Sequence, residues 1–325
     1  MSGTVLVLPA GQTGTVVIKC LQKDPSLRII AADTNFLAPG LHLADKGYMI
    51  PSVTEPAFYD KIQDIIVKES VDVIFPCDNI FTYTLANHAL IFSKTCVKVL
   101  ASEPETLDKC LDKWKTYEYL NKIVPMPRNT IEVNTEHVSS LIGFPAIIKP
   151  RDGSGSKNIH KLEDITDLNY YIKNVPNPIV QEFIDGQHYS TDILVNSDGK
   201  LISAVTRRRI EASDGMPIKS VIEPRNELLE LVKEVCDMLR FFGVINIQTT
   251  IDKDSKPKLL EINPRVGHGV ILSVAAGCNL PLEAVYLALG KPIERGTMVA
   301  RPLYMSRYYE EIFIAHPFAV ESIHT

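Results

Sequence analysis

Leu259-Leu260-Glu261-Ile262-Asn263-Pro264-Arg265 puts a carboxylate, an amide and a guanidinium on alternate residues. Alternate side chains of an extended strand leave the same face, so in a strand all three project together. Glu261 and Asn263 offer oxygens to a hard cation, and Arg265 offers a planar fork for phosphate or a developing anion. This set suits metal-assisted phosphoryl chemistry better than a solvated surface. Residues 244–251 and 258–262 read as strands joined by the hairpin Asp252-Lys253-Asp254-Ser255-Lys256-Pro257. Centring that hairpin between Asp254 and Ser255 sets Gln248 opposite Glu261 and Asn246 opposite Asn263. Directly opposed residues share a face, so four oxygen-bearing side chains gather there. A one-residue slip would undo this and leave a polar, solvated hairpin.

Outward from the hairpin the pattern divides in two. Val5-Leu6-Val7-Leu8 reads as a buried strand, broken by Pro9-Ala10-Gly11 and followed by a helix over 13–22. Strands over 28–32, 71–75 and 97–100 alternate with helices over 58–69 and 80–92, which predicts a wound parallel α/β unit. A helix over 105–122 ends at the hinge Val124-Pro125-Met126-Pro127. Beyond it, strands over 144–149, 179–183, 191–196, 201–208 and 218–223 alternate with turns, which predicts α+β structure with antiparallel sheets. Residues 226–241 form an amphipathic pattern, apolar at Leu228, Leu231, Val232, Val235 and Leu239. A small-residue helix is expected from 272 to 276.

With 325 residues the chain is long enough for two or three lobes. Its 34 basic and 39 acidic side chains give a net charge of −5, which asks for neither nucleic acid nor an anionic membrane. The apolar runs are too short to span a bilayer. Met1-Ser2-Gly3-Thr4 carries neither the basic start nor the cleavage pattern of a signal peptide. Six scattered cysteines without a Cys-x-x-Cys pair argue against zinc and disulfide frameworks, so a reduced cytoplasmic setting is expected.

Other segments each carry two readings. Pro9-Ala10-Gly11-Gln12-Thr13-Gly14, with Asp33 closing the next strand, is a partial dinucleotide fingerprint or simply a tight βα turn. Lys149-Pro150-Arg151-Asp152-Gly153-Ser154-Gly155-Ser156-Lys157 is a phosphate-approaching loop or a flexible hairpin. Lys149 leaves an apolar strand, where a charge is awkward to bury without an anionic partner. Gln181-Glu182-Phe183-Ile184 is a purine-binding strand end or a half-buried strand. Thr206-Arg207-Arg208-Arg209 is an anion site or a run of salt-bridge positions, and Arg207 and Arg209 are candidates for a substrate carboxylate. Asp78 and Asn79, after the strand at 71–75, are further candidate substrate contacts. His268, in Val266-Gly267-His268-Gly269, carries no acid-base assignment.

In this order and spacing the segments resemble the ATP-grasp superfamily, the carboxylate–amine ligases, and most nearly small proteins akin to one half of the carbamoyl-phosphate synthetase large subunit. The resemblance rests on Lys149-Pro150 with its Gly-Ser loop, Gln181-Glu182-Phe183-Ile184, Gln248, and Glu261-Ile262-Asn263-Pro264-Arg265. It implies an N-terminal wound α/β domain over 1–110, an ATP-grasp lid lobe over 111–190, and a C-terminal ATP-grasp lobe over 191–325. It implies that Lys113, Lys149, Gly153, Ser154, Gly155 and Ser156 hold ATP phosphates, and that Glu182, Phe183 and Ile184 meet adenine. Gln248, Glu261 and Asn263 would hold Mg2+, or Mn2+ in its place, with Arg265 and Lys149 catalytic. The pattern is broken at His188, where family members usually carry a ribose-binding glutamate. The implied reaction joins a small-molecule carboxylate to an amine through an acyl phosphate; a homodimer is among the assemblies open to it. Phosphorylation of bicarbonate with partner subunits is the alternative. From other classes, the alternatives are a non-catalytic nucleotide-binding regulator and an NAD-dependent oxidoreductase using Gly11, Gly14 and Asp33.

Overall fold

A computed structural model describes residues 3–92, 96–153, 155–213, 215–293 and 302–314. The first unit runs β1 (Gly3–Leu8), α1 (Gln12–Leu21), β2 (Leu27–Asp33), α2 (Pro39–Leu43), β3 (Lys46–Met49), α3 (Ala57–Glu69), β4 (Val73–Pro76), α4 (Asn79–Asn87), α5 (Ala89–Phe92) and β5 (Lys98–Val99). The strands form one parallel sheet in the order β3-β2-β1-β4-β5. Alternation along β1 explains its unbroken apolar run. Val5 and Val7 feed the core on the α1 side, while Leu6 and Leu8 feed the α3 side with Phe58, Ile62 and Ile65. The single helix expected over 80–92 is two, separated at His88.

The helix expected over 105–122 is also two, α6 (Pro104–Leu111) and α7 (Lys113–Leu120). Asp112 breaks it: its backbone is extended and its carboxylate accepts from the N–H groups of Trp114 and Lys115, capping α7. Next come β6 (Asn129–Thr130), α8 (Thr135–Leu141), β7 (Ala146–Pro150), β8 (His160–Leu162), α9 (Ile165–Tyr171) and β9 (Pro178–Glu182). These strands make an antiparallel sheet ordered β6-β9-β7-β8, with its own core around Val138, Ile148, Leu168 and Val180.

The last unit comprises β10 (Gly186–Val195), β11 (Leu201–Ser213), β12 (Met216–Ile222), α10 (Asn226–Met238), β13 (Gly243–Asp252), β14 (Pro257–Asn263), α11 (Val270–Ala275), α12 (Leu280–Ala288) and β15 (Tyr304–Ser306). Its antiparallel sheet is ordered β14-β13-β10-β11-β12-β15. A lobe boundary after residue 190 falls inside β10; the sheet changes between Glu182 and Gly186. The core on the α1 side of the first sheet continues through Leu194, Val205, Val266, Val270 and Val285, so the first and last units share one apolar interior. That shared core brings the start of α1 to the loop after β14.

The hairpin register agrees with expectation at the site, but by a different route. Asn246 pairs with Asn263 and Gln248 with Glu261, whereas Thr249 pairs with Leu259 and Thr250 with Lys258. The turn half is therefore offset by one residue, and a bulge at Leu260 restores the register that groups the oxygens.

Candidate active site

A cavity of about 490 Å³ lies between the lid sheet and the six-stranded sheet. Asn246, Gln248, Glu261 and Asn263 line one wall. Arg265 also lines it, though not from the strand: β14 ends at Asn263, and Pro264 and Arg265 lie in a bend. The bend returns the guanidinium to its own strand, donating to Asn263 Oδ1 at 3.1 Å and to the Val266 carbonyl at 2.9 Å. Each proposed metal donor is met by a cation: Glu261 by Lys113 at 3.8 Å, Gln248 by Arg209 at 3.2 Å, and Asn263 by Arg265. One carboxylate and two amides are hard oxygen donors, which fits Mg2+, but they are too few to cage it. Such an ion takes the balance of its octahedron from phosphate and water. Among the described residues no cluster of three or more His, Cys, Asp or Glu offers a free-standing metal site. The donor set therefore fits a metal–nucleotide rather than a lone metal.

The opposite wall is the lid. Lys149 on β7 is buried and donates to Gln181 Oε1 at 3.0 Å; Gln181 in turn donates to Asn129 Oδ1 at 3.0 Å. The amide chain holds the ammonium from across the sheet without neutralising it. Burial therefore pulls the Lys149 pKa down to about 8, with Glu261 opposing and Lys113 adding to the shift. Lys113, in the first turn of α7, ties down the base of the lid loop. Its backbone N–H donates to Arg151 O at 3.0 Å and its ammonium to Gly153 O at 2.7 Å. The Asp112–Arg151 ion pair, at 2.5 Å, fixes the same corner. Gly153, Gly155, Ser156 and Lys157 line the cavity, and Ser154 lies outside the described residues. The β11–β12 turn abuts this loop: Gly215 has φ +76°, and a Cβ there would come within 2.9 Å of Gly155 backbone.

Glu182, Phe183, Ile184 and His188 line the cavity where lid and large sheet meet. Glu182 is held by Arg128, whose backbone N–H and guanidinium reach its carboxylate at 3.1 and 3.3 Å. His188 is exposed along the cavity, and desolvation by its surroundings followed by the charge of Arg209 lowers its pKa. Arg207, 2% exposed, makes two bonds to Asp192 at 3.0 and 3.2 Å. Asp192 also accepts from Asn246 at 2.7 Å and Ser273 at 2.9 Å, so one buried carboxylate orients two cavity-lining side chains.

Asp78 and Asn79 do not line the cavity. Asp78 is spent capping α4, accepting from Phe81 N at 2.7 Å. Asp33 likewise accepts from Asn35 N at 2.9 Å. Gln12 and Thr13 at the start of α1, His268, Gln181 and Ser190 also line it, beyond the residues the resemblance implies. Gln181 and Asp192 sit in alternating strand positions that resemble any half-buried strand, so only the three-dimensional pairing marks them. The cavity lining carries six cations (Lys113, Lys149, Lys157, Arg207, Arg209 and Arg265) against two carboxylates, Glu182 and Glu261.

Residues 110–269 match the family described as ATP-grasp domain, and residues 5–100 match that described as PylC-like, N-terminal domain. The chain is 26% identical over 220 residues to the carbamoyl phosphate synthase large chain of Thermoanaerobacter pseudethanolicus, covering 62% of this chain and 20% of that one. It thus spans about a fifth of that relative's length. It is 23% identical over 285 residues to the carbamoyl-phosphate synthase of Methanobrevibacter smithii, covering 83% of this chain and 76% of that one. In fold it is similar to N5-carboxyaminoimidazole synthetase from Staphylococcus aureus complexed with ADP, with a TM-score of 0.79 and 15% identity, covering 95% of this chain and 83% of that one. It is also similar to the biotin carboxylase domain of Hydrogenobacter thermophilus 2-oxoglutarate carboxylase, a dimer in complex with MgADP and bicarbonate. There the TM-score is 0.76 at 16% identity, covering 91% of this chain and 71% of that one. Lid sheet, oxygen-bearing hairpin and family match agree: residues 110–269 are an ATP-grasp domain, preceded over residues 5–100 by a PylC-like N-terminal domain.

Proposed function

We propose that this protein is an ATP- and Mg2+-dependent ligase that activates a carboxylate as an acyl phosphate for attack by an amine or ammonia, releasing ADP and phosphate. The observation that carries this reading is the imbalance of cations over carboxylates around one row of oxygen donors: with Arg207 met by Asp192, five cations remain against two carboxylates. Uncompensated cations in a cleft call for a polyanion, and the oxygens give its metal a place.

Lys113 and Lys149 hold the phosphates beneath the lid loop, to which Gly153, Gly155 and Ser156 contribute backbone N–H groups. The Glu182–Ile184 segment takes adenine and His188 stands near the ribose. A neutral imidazole there offers a hydrogen bond without the charge of the usual glutamate. Gln248, Glu261 and Asn263 would hold Mg2+. When bound, that ion would supply Lewis-acid charge to the nucleotide phosphates. Arg265 meets the γ-phosphoryl oxygens as the carboxylate attacks, lowering the repulsion between two anions. The lid loop, resting against Gly215, excludes water that would hydrolyse the acyl phosphate. Among the described residues no helix is long and apolar enough to cross a membrane.

A second reading, phosphorylation of bicarbonate, is favoured by the likeness to carbamoyl-phosphate synthase over 83% of the chain. ADP release measured with bicarbonate, and with acid–amine pairs, separates the two. The ligase reading expects release that needs both an acid and an amine and that falls at least a hundredfold in Glu261→Ala and in Arg265→Ala. Full turnover in either variant would show the site assignment to be wrong.

A further inference from the structure

Strand β10 meets the cavity through alternate residues. Ser190 lies directly opposite Gln248 of β13, and His188 lies two residues earlier, opposite Thr250. His188 therefore stands about 7 Å along the strand from the row of metal donors. It is displaced toward the Glu182–Ile184 segment, which ends just before β10 begins at Gly186. On the ligase reading, phosphates sit at the donor row and the base at that segment. The sugar between them then lies over His188.

A ribose presents two vicinal hydroxyls, and a carboxylate can accept from both with its two oxygens, as an acidic residue does in dinucleotide folds. No carboxylate is placed to do so here. Of the residues lining the cavity only Glu182 and Glu261 are acidic. Glu182 already accepts from the Arg128 backbone and guanidinium at 3.1 and 3.3 Å, with Lys258 at 4.0 Å. Glu261 is two strands away from β10, opposite Gln248 and 3.8 Å from Lys113. Asp185, in the same connection, is exposed and outside the lining.

The groups beside His188 do not replace the missing acceptor. The Thr250 hydroxyl is donated to the Gln187 carbonyl at 3.1 Å. Arg209 can only donate, and its guanidinium reaches Gln248 Oε1 at 3.2 Å and the Gly215 carbonyl at 3.5 Å. That leaves the imidazole, which desolvation and the charge of Arg209 keep neutral at neutral pH. Its donor and acceptor nitrogens lie on different edges of the ring, so it serves one hydroxyl of a vicinal pair and not both.

We propose that His188 makes the nucleotide site indifferent to the ribose 2′-hydroxyl, so that the protein accepts 2′-deoxyadenosine nucleotides about as readily as adenosine nucleotides. The inference rests on the ligase reading and specifies the nucleotide class its site takes. A neutral bond from the 2′-hydroxyl to an exposed ring is worth about threefold in affinity at most, whereas a charge-assisted bond to a carboxylate is worth roughly tenfold or more.

The test is titration calorimetry of the full chain with ADP and with 2′-deoxy-ADP, each with Mg2+. The two affinities are expected to agree within about threefold. His188→Glu restores a two-oxygen acceptor at an exposed position, and is expected to raise the preference for ADP to roughly tenfold or more. His188→Ala is expected to weaken both nucleotides by the same factor. The ratio is the readout because a general loss of structure weakens both ligands alike and leaves it unmoved. A tenfold preference for ADP in the parent protein, an unchanged ratio in His188→Glu, or a loss confined to ADP in His188→Ala overturns the proposal. Failure of the parent to bind either nucleotide overturns the ligase reading instead.

Discussion

The first sheet and the lid sheet each end a strand in a glycine-bearing turn, and they use it in opposite ways. After β1, a Cβ on Gly14 would sit 2.3 Å from the carbonyl oxygen of Pro9, so this glycine serves helix–strand contact. After β7, Gly155 has φ +69° and nothing within 4 Å of where its Cβ would be. Just before that open loop lies Lys149, buried against a neutral amide. Gly14, in the first turn of α1, is closed for packing; Gly155 is open above a stored charge. On the proposed reading, what would mark the phosphate site is the buried cation without a carboxylate partner, since glycine follows both strands.

The comparison is sharpened most by Lys149→Met. Removing a buried ammonium that lacks a carboxylate partner leaves the folded chain as stable or more stable, while nucleotide affinity is expected to fall at least tenfold. The stability effect depends on pH. The folded-state pKa of about 8 lies below the ordinary 10.5, so between these values the unfolded chain binds more protons and stability rises with pH. The advantage of Lys149→Met over the parent, on the order of 3 kcal/mol at most, is thus full below pH 8 and gone above pH 10.5. Denaturant melts at pH 7.5 and 10.5 would reveal it. An equal gap at both values would mean that the ammonium is not desolvated.

Gly14→Ala should act in the opposite sense, and more gently. Forcing a methyl against Pro9 O costs roughly 1–3 kcal/mol, read as a melting temperature lower by several degrees. Nucleotide affinity is expected to stay within twofold; a large loss would make the β1 turn part of the nucleotide site and end the contrast.

Much of this arrangement is legible in the sequence where residue type and period agree. Glu261, Asn263 and Gln248 declare their shared face by alternation, and the β1 run declares burial on two sides. The bulge at Leu260 is invisible to alternation, because an inserted residue and a shifted turn cancel in the final register. Asp112 reads as one more polar position on a helix until its extended backbone shows it to be a cap. Strands of two to four residues, such as β3, β6, β8 and β15, are too short to show a period of two. Gln181 and Asp192 gain meaning only from partners 32 and 15 residues away in the chain.

The most direct test of the central claim is a calorimetric titration of the full chain with MgADP, repeated with Glu261→Ala. Saturable binding with one site per chain is expected, weakened at least tenfold by the substitution and weakened when Mg2+ is replaced by chelator. Absence of binding, or binding indifferent to both Glu261 and Mg2+, would contradict an ATP–magnesium cleft built on the β13–β14 hairpin.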